Sequence, residues 1–149
     1  MASTAYTNGL EGLMDNGFDY TSTIKSMLLK TTYTEDPDHD FVDDLAAAEC
    51  DATGYTGGFA GADRLTTALT TTEQTASNRV VVIGADKTWT AIGGASNNTL
   101  EGVAWIFETG ADATSIPIVY LVFAASVTTN GSDILVDCDG TDGNLRFTV

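Results

Sequence analysis

The residues best equipped for chemistry are the sole histidine, His39, and the acids around it, Asp36, Asp38, Asp40, Asp43 and Asp44. Carboxylates are hard oxygen ligands for divalent cations, and an imidazole suits zinc or iron. One imidazole cannot build a two-histidine triad, however. The spacing fits a turn better: Asp36 stands where an N-cap would, with Pro37 at the first helical position and the remaining acids in water. A second acidic stretch, from Asp137 to Asn144, resembles a calcium loop only superficially. An EF-hand needs glycine at its sixth position and a glutamate at its twelfth, and Gly140 is fourth. Aspartate and glycine between two strands explain the segment as a turn. No metal and no cofactor is expected.

Covalent chemistry is no better served. His39 would be the only imidazole base for a serine or for Cys50, which is too thin a constellation for a nucleophilic site. No glycine-rich loop ends in Lys-Ser or Lys-Thr, so a phosphate cradle of that type is not encoded. Paired carboxylates arise by chance among 21 acids. Trp105, within an apolar run, reads as core. Trp89 reads equally as core or as an exposed stacking surface for a sugar. Cys50 and Cys138 lack metal-type spacing and are read as free thiols or, less simply, as a disulfide that sequence cannot establish. The expectation is a protein that is not an enzyme.

Charge narrows the partners. Six Lys plus Arg oppose 21 Asp plus Glu, a formal charge of -15 over 149 residues. Tracking a phosphate backbone needs clustered cations, so no nucleic acid is expected, and anionic membranes are disfavoured for the same reason. A strongly negative surface keeps free copies apart and complements a basic partner. The start, Met-Ala-Ser-Thr-Ala, lacks the pattern of a signal peptide, and the apolar run over residues 116–125 is too short to span a bilayer. Synthesis in a cytoplasm without membrane insertion is the expectation.

These residues must be carried by short strands. Residues 21–32, with Ile24, Met27, Leu28 and Leu29, suit a mostly buried strand, and Phe41, Val42 and Leu45 are expected to face inward. Gly54, Gly57, Gly58 and Gly61 mark a loop anchored by Tyr55 and Phe59. Leu65, Thr67 and Leu69 alternate, Val80 to Ile83 forms a buried strand, and residues 103–108 and 118–123 are the two most apolar strands. Asn130-Gly131 is a hairpin signal, and a final hairpin is expected to pair residues 133–138 with 145–149. The predicted fold is mainly β, an antiparallel sandwich or barrel-like domain over residues 21–149. Residues 1–20 are expected to form an arm or short helix. Leu10, Leu13 and Met14 share helical spacing over residues 3–17, and Gly9 and Gly12 weaken that helix.

Particular segments resemble a known family. The run Thr-Ile-Lys-Ser-Met-Leu-Leu-Lys-Thr-Thr-Tyr-Thr (residues 23–34), then Asp38-His39-Asp40-Phe41-Val42-Asp43-Asp44 and Thr53-Gly54-Tyr55-Thr56-Gly57-Gly58, is similar in order to small structural proteins of tailed-bacteriophage virions. Asp86-Lys87-Thr88-Trp89, the strand around Trp105, Ile116-Pro117-Ile118-Val119-Tyr120 and the last acidic segment continue the likeness over roughly residues 20–149. The chain departs from the family at residues 93–98 and in its first twenty residues.

The resemblance implies a capsid decoration (cement) protein made in a bacterial host cytoplasm. It would sit on the outer surface of the assembled head, against the major capsid protein, as a homo-oligomer. A tail-associated structural protein and a virion-surface carbohydrate-binding domain are the alternatives. If the N-terminal segment is the attachment arm, Tyr6, Leu10, Leu13, Met14 and Phe18 are the expected interface residues.

Overall fold

The apolar runs that dominate the sequence become strands buried on both faces. In the computed structural model, residues 2–14, 24–77, 79–138 and 145–148 are described. The central sheet contains β1 (Ala2–Ala5), β2 (Ile24–Lys30), β3 (Leu65–Thr66), β7 (Thr99–Phe107) and β8 (Ile116–Thr128), in the order β1-β8-β7-β2-β3. Every pairing in it is antiparallel. Successive side chains point to opposite faces, and the core divides accordingly. Ile24, Leu28, Leu100, Val103, Trp105, Val119 and Leu121 pack on one side. Met27, Leu29, Ala104, Ile106 and Tyr120 pack on the other. Continuous rather than alternating hydrophobicity is the consequence.

Two smaller sheets cover the first face. One holds β4 (Leu69–Gln74), β5 (Arg79–Gly84) and β10 (Leu145–Thr148) in the order β10-β5-β4, and the other pairs β6 (Lys87–Ile92) with β9 (Ser132–Val136). Val82, Trp89, Ile92, Ile134 and Val136 join the central core from them. The opposite face is closed by Tyr6, Tyr33, Val42, Leu45 and Ala48, the last two in and just after a short helix, α2 (Asp43–Ala46). The molecule is therefore mainly β, with antiparallel sheets layered as in a sandwich, and a second short helix, α1 (Thr7–Met14).

Several local expectations are corrected. Residues 2–5 form an edge strand, and the helix begins only at Thr7. Gly9, which weakens a free helix, is where α1 touches the sheet: a Cβ there would lie 2.4 Å from the Pro117 carbonyl oxygen of β8. Asp36 makes a turn, its Oδ1 accepting from the Asp38 N–H, because Pro37 is followed by residues that never join a helix before Asp43. Val42 and Leu45 are buried, but Phe41 and Phe59 are 40% and 44% exposed. The alternation Leu65-Thr67-Leu69 belongs to two strands in two sheets.

The hairpin signal at Asn130-Gly131 makes a turn but no hairpin. Gly131, at φ 91°, donates to the Ile92 carbonyl and hands the chain from β8 to a strand that pairs with β6. The expected last hairpin is likewise absent among the described residues: β9 pairs with β6 and β10 with β5. Turn residues dictate a local reversal, whereas the burial of the following apolar positions selects which sheet receives the strand.

Candidate functional site

Three features stand out when polar and apolar groups are traced from their strands. The first is a buried ionic cage around Arg64. This residue enters β3 from the glycine loop, and its side chain is fully buried. Nε and Nη2 donate to the two oxygens of Glu49 at 2.9 and 2.7 Å. Nη1 and Nη2 donate to the two oxygens of Asp112 at 2.5 and 3.1 Å, and Nη1 also reaches Glu108 at 3.4 Å. All five guanidinium N–H groups are thus used, twice in the bidentate fork that makes arginine–carboxylate pairs strong.

The carboxylates have further partners. Glu49 accepts from the Tyr55 hydroxyl and the Gly58 N–H, Glu108 accepts from the Ala60 N–H, and Lys25 lies 3.9 Å from Glu108. Burial alone would pull the Arg64 pKa down, and its hydrogen bonds to Glu49 and Asp112 more than reverse this. The group stays charged. A cleft of about 360 Å³ lined by Lys30, Glu49, Asp51, Tyr55 and Asp112 opens beside the cage. Glu49 and Asp112 are engaged with Arg64, and Asp51 with Lys30, so the arrangement ties the loop over residues 55–64 to the end of β7 and to the turn at Asp112.

The second feature is a chain of phenols beneath a cleft of about 340 Å³ lined by Thr32, Tyr33, Thr34, His39 and Asp44. The Tyr6 and Tyr33 hydroxyls are 2.6 Å apart, and the Tyr33 hydroxyl is 3.1 Å from His39 Nδ1. The Tyr120 ring meets Tyr33 edge-on at 5.0 Å, and its buried hydroxyl has no hydrogen-bond partner among the described residues. Burial raises the pKa of Tyr6, Tyr33 and Tyr120. These phenols remain neutral and serve as hydrogen-bonding groups, not as nucleophiles.

The third is an apolar groove of about 190 Å³ lined by Phe123, Val127, Asp133, Ile134 and Leu135. Leu135 is 66% exposed and Val127 40%. On β9 Ser132, Asp133 and Leu135 are exposed while Ile134 and Val136 are buried, and Asp137, just past the strand, is exposed. On β8 the ladder with β7 jumps: Leu100 faces Val127 but Gly102 faces Val122, so Glu101 alone stands opposite residues 123–126. Among the described residues, pairing with β1 also ends at Val122.

The residues singled out from sequence fall as follows. Tyr6 is fully buried and Leu10 is half-buried, in a helix that packs on β8. Leu13 and Met14 lie in α1, and Phe18 lies outside the described residues, as do residues 139–144 of the calcium-like loop. His39 meets Tyr33, while Asp36, Asp38, Asp40, Asp43 and Asp44 are exposed. No grouping of three or more His, Cys, Asp or Glu side chains among the described residues could hold a metal ion.

Trp105 and Trp89 are both 1% exposed, and Trp89 Nε1 donates to the Asp63 carbonyl at 2.6 Å, so neither indole offers a stacking face. Cys50 and Cys138 are free and buried. Burial raises both thiols, Cys138 to about 11. Among the described residues no helix is long and apolar enough to cross a membrane.

Sequence reasoning passed over Arg64 and its three acids. The available signal was scarcity: one of only six cations, placed at the end of a glycine loop, attracts whichever carboxylates the fold brings near. It also read β9 as half of a hairpin, although Asp133-Leu135-Asp137 puts a leucine among exposed positions. Compared with known protein families, curated proteins and solved structures, the chain finds no match.

Proposed function

We propose that this chain is a decoration (cement) protein of a tailed-bacteriophage head, one that binds the outside of the assembled shell and strengthens contacts between major capsid subunits. It acts by adhesion, with no bond made or broken. The reading rests on the resemblance over roughly residues 20–149, and the structural observation that carries it is the apolar groove at Val127 and Leu135. Exposed large apolar side chains gathered into one place mark interaction sites, and here they interrupt a surface belonging to a chain of net charge -15. An acidic exterior holds unbound copies apart and favours a basic acceptor, while many equivalent sites on a shell make weak single contacts cumulative. The Arg64 cage suits the same task, since it stiffens the loop layer without exposing a reactive group.

The test is addition of the purified full-length protein to shells that lack it, followed by image reconstruction and a heat-release assay of the packaged genome. Density at repeated positions outside the shell, with release shifted to higher temperature, is the expected outcome. Density confined to the tail, or no bound density, overturns the assignment.

A further inference from the structure

The groove combines three properties that together specify an occupant. It is apolar at its base, through Phe123, Val127, Ile134 and Leu135. It has acids beside it, since Asp133 is in its lining and Asp137, just past β9, is exposed two residues beyond Leu135. And it runs along strands whose edge has no ladder partner among the described residues. β9 has one strand neighbour, β6, among the described residues, and residues 123–126 of β8 have no ladder partner opposite them except Glu101. Unpaired strand edges are templates for an added strand, and β-strand addition draws affinity from the main chain and specificity from alternate side-chain pockets.

We propose that this groove docks an extended strand of another protein that carries an apolar residue with lysine or arginine two residues before it and two residues after it, so that all three share one face. The apolar residue of that strand enters between Val127 and Leu135, and its cations face Asp133 and Asp137. A second copy of this chain does not fit. An antiparallel β9–β9 pair centred on Leu135 would set Asp133 against Asp137 of the other copy twice over, and like charges directly opposed across a ladder are destabilising. The net charge of -15 adds long-range repulsion to that local conflict. Asp133 is also held in place, its Oδ1 accepting from the Ala91 N–H at 2.9 Å, so one wall of the groove is fixed before anything binds. That the strand belongs to a capsid subunit rests on the function proposed above; the chemistry of the strand does not.

The experiment uses three fluorescent threonine-rich peptides with capped ends whose central alternate positions (i, i+2, i+4) read Lys, Val, Lys (the Lys/Val peptide), Glu, Val, Glu (Glu/Val) and Lys, Ser, Lys (Lys/Ser). Each is titrated into the full-length protein with anisotropy as the readout, and amide hydrogen exchange locates the site. The Lys/Val peptide is expected to bind, to slow exchange over residues 123–126 and in β9, and to lose at least about tenfold in affinity in Leu135→Asp. Leu135 is largely exposed, so this variant keeps the fold, which the buried tryptophans report by fluorescence; Val127→Asp is the second variant.

Equal binding of the Glu/Val peptide overturns the charge assignment, and equal binding of the Lys/Ser peptide overturns the apolar one. No binding of Lys/Val, or binding indifferent to both variants, overturns the site. Concentration-dependent self-association abolished by Leu135→Asp would make a second copy the occupant and overturn the proposal. No virus particle enters the assay, so its failure removes this strand as the groove's occupant, whereas the decoration role is decided by the coating of shells, and failure to coat shells leaves the peptide result standing.

Discussion

Arg64 is the residue whose removal the fold should tolerate least. Its five N–H groups neutralise and orient Glu49, Glu108 and Asp112, whose side chains are 6%, 7% and 20% exposed. Arg64→Met would leave those acids facing one another without their central cation. Breaking a buried pair from one side costs about 3–5 kcal/mol, and urea unfolding should show a loss of that size. Arg64→Lys keeps the charge but not the fork, so an intermediate loss is expected; a lysine variant as stable as the parent would mean that charge alone matters. The thiols yield a prediction with a definite sign. Burial lifts Cys138 from near 9 to about 11, so above pH 9 the unfolded chain gives up a proton that the folded chain retains. The stabilisation from keeping this thiol neutral is complete below pH 9 and is lost as pH rises through about 11. Denaturation midpoints measured across that window should fall, and fall less steeply in Cys138→Ala.

Elements are held where backbones approach closely, and there small residues decide. At Gly9, α1 rests on the carbonyl of Pro117, and at Gly84 a Cβ would lie 2.2 Å from Cζ2 of Trp105. Gly9→Ala should raise intrinsic helix propensity by about 1 kcal/mol yet lower stability, because the helix must lift from β8. Faster amide exchange at Leu10, whose N–H donates to Tyr6, would register the lift; unchanged exchange with higher stability would show that the contact yields. These two glycines also mark the limit of what sequence disclosed. Propensity and apolar runs were enough to place β2, β5, β7 and β8, since burial on both faces needs nothing but local hydrophobicity. Which strands neighbour one another depends on long-range packing, so the hairpin expected at Asn130-Gly131 is not there, although the chain does change direction at Gly131. The site was less legible still. An ion cage assembled from residues 49, 64, 108 and 112 has no spacing to recognise, and the groove depends on a ladder jump at Glu101 that no local pattern announces.

At the scale of the molecule, charge acts on folding and on attachment with opposite signs. The net charge of -15 makes the compact state repel itself, and this repulsion spreads over the exposed acids, including the run from Asp36 to Asp44. Its range shrinks from about 30 Å at 0.01 M salt to about 10 Å at 0.1 M. The Arg64 cage is buried and is screened much less. Added salt should therefore stabilise the fold, and each 1 kcal/mol regained corresponds to about 2–4 °C for a chain of this size. Attachment to a basic acceptor responds in the other direction, because the same ions screen the attraction that steers encounter. Association with shells, or with the Lys/Val peptide, should slow as salt rises, whereas the apolar contact at Val127 and Leu135 limits the change in dissociation. Scanning calorimetry and association kinetics over 0.01–0.3 M sodium chloride would check both halves on one sample. A melting temperature that falls with salt would place the dominant electrostatics inside the fold, and association that speeds up with salt would remove the basic partner from the account.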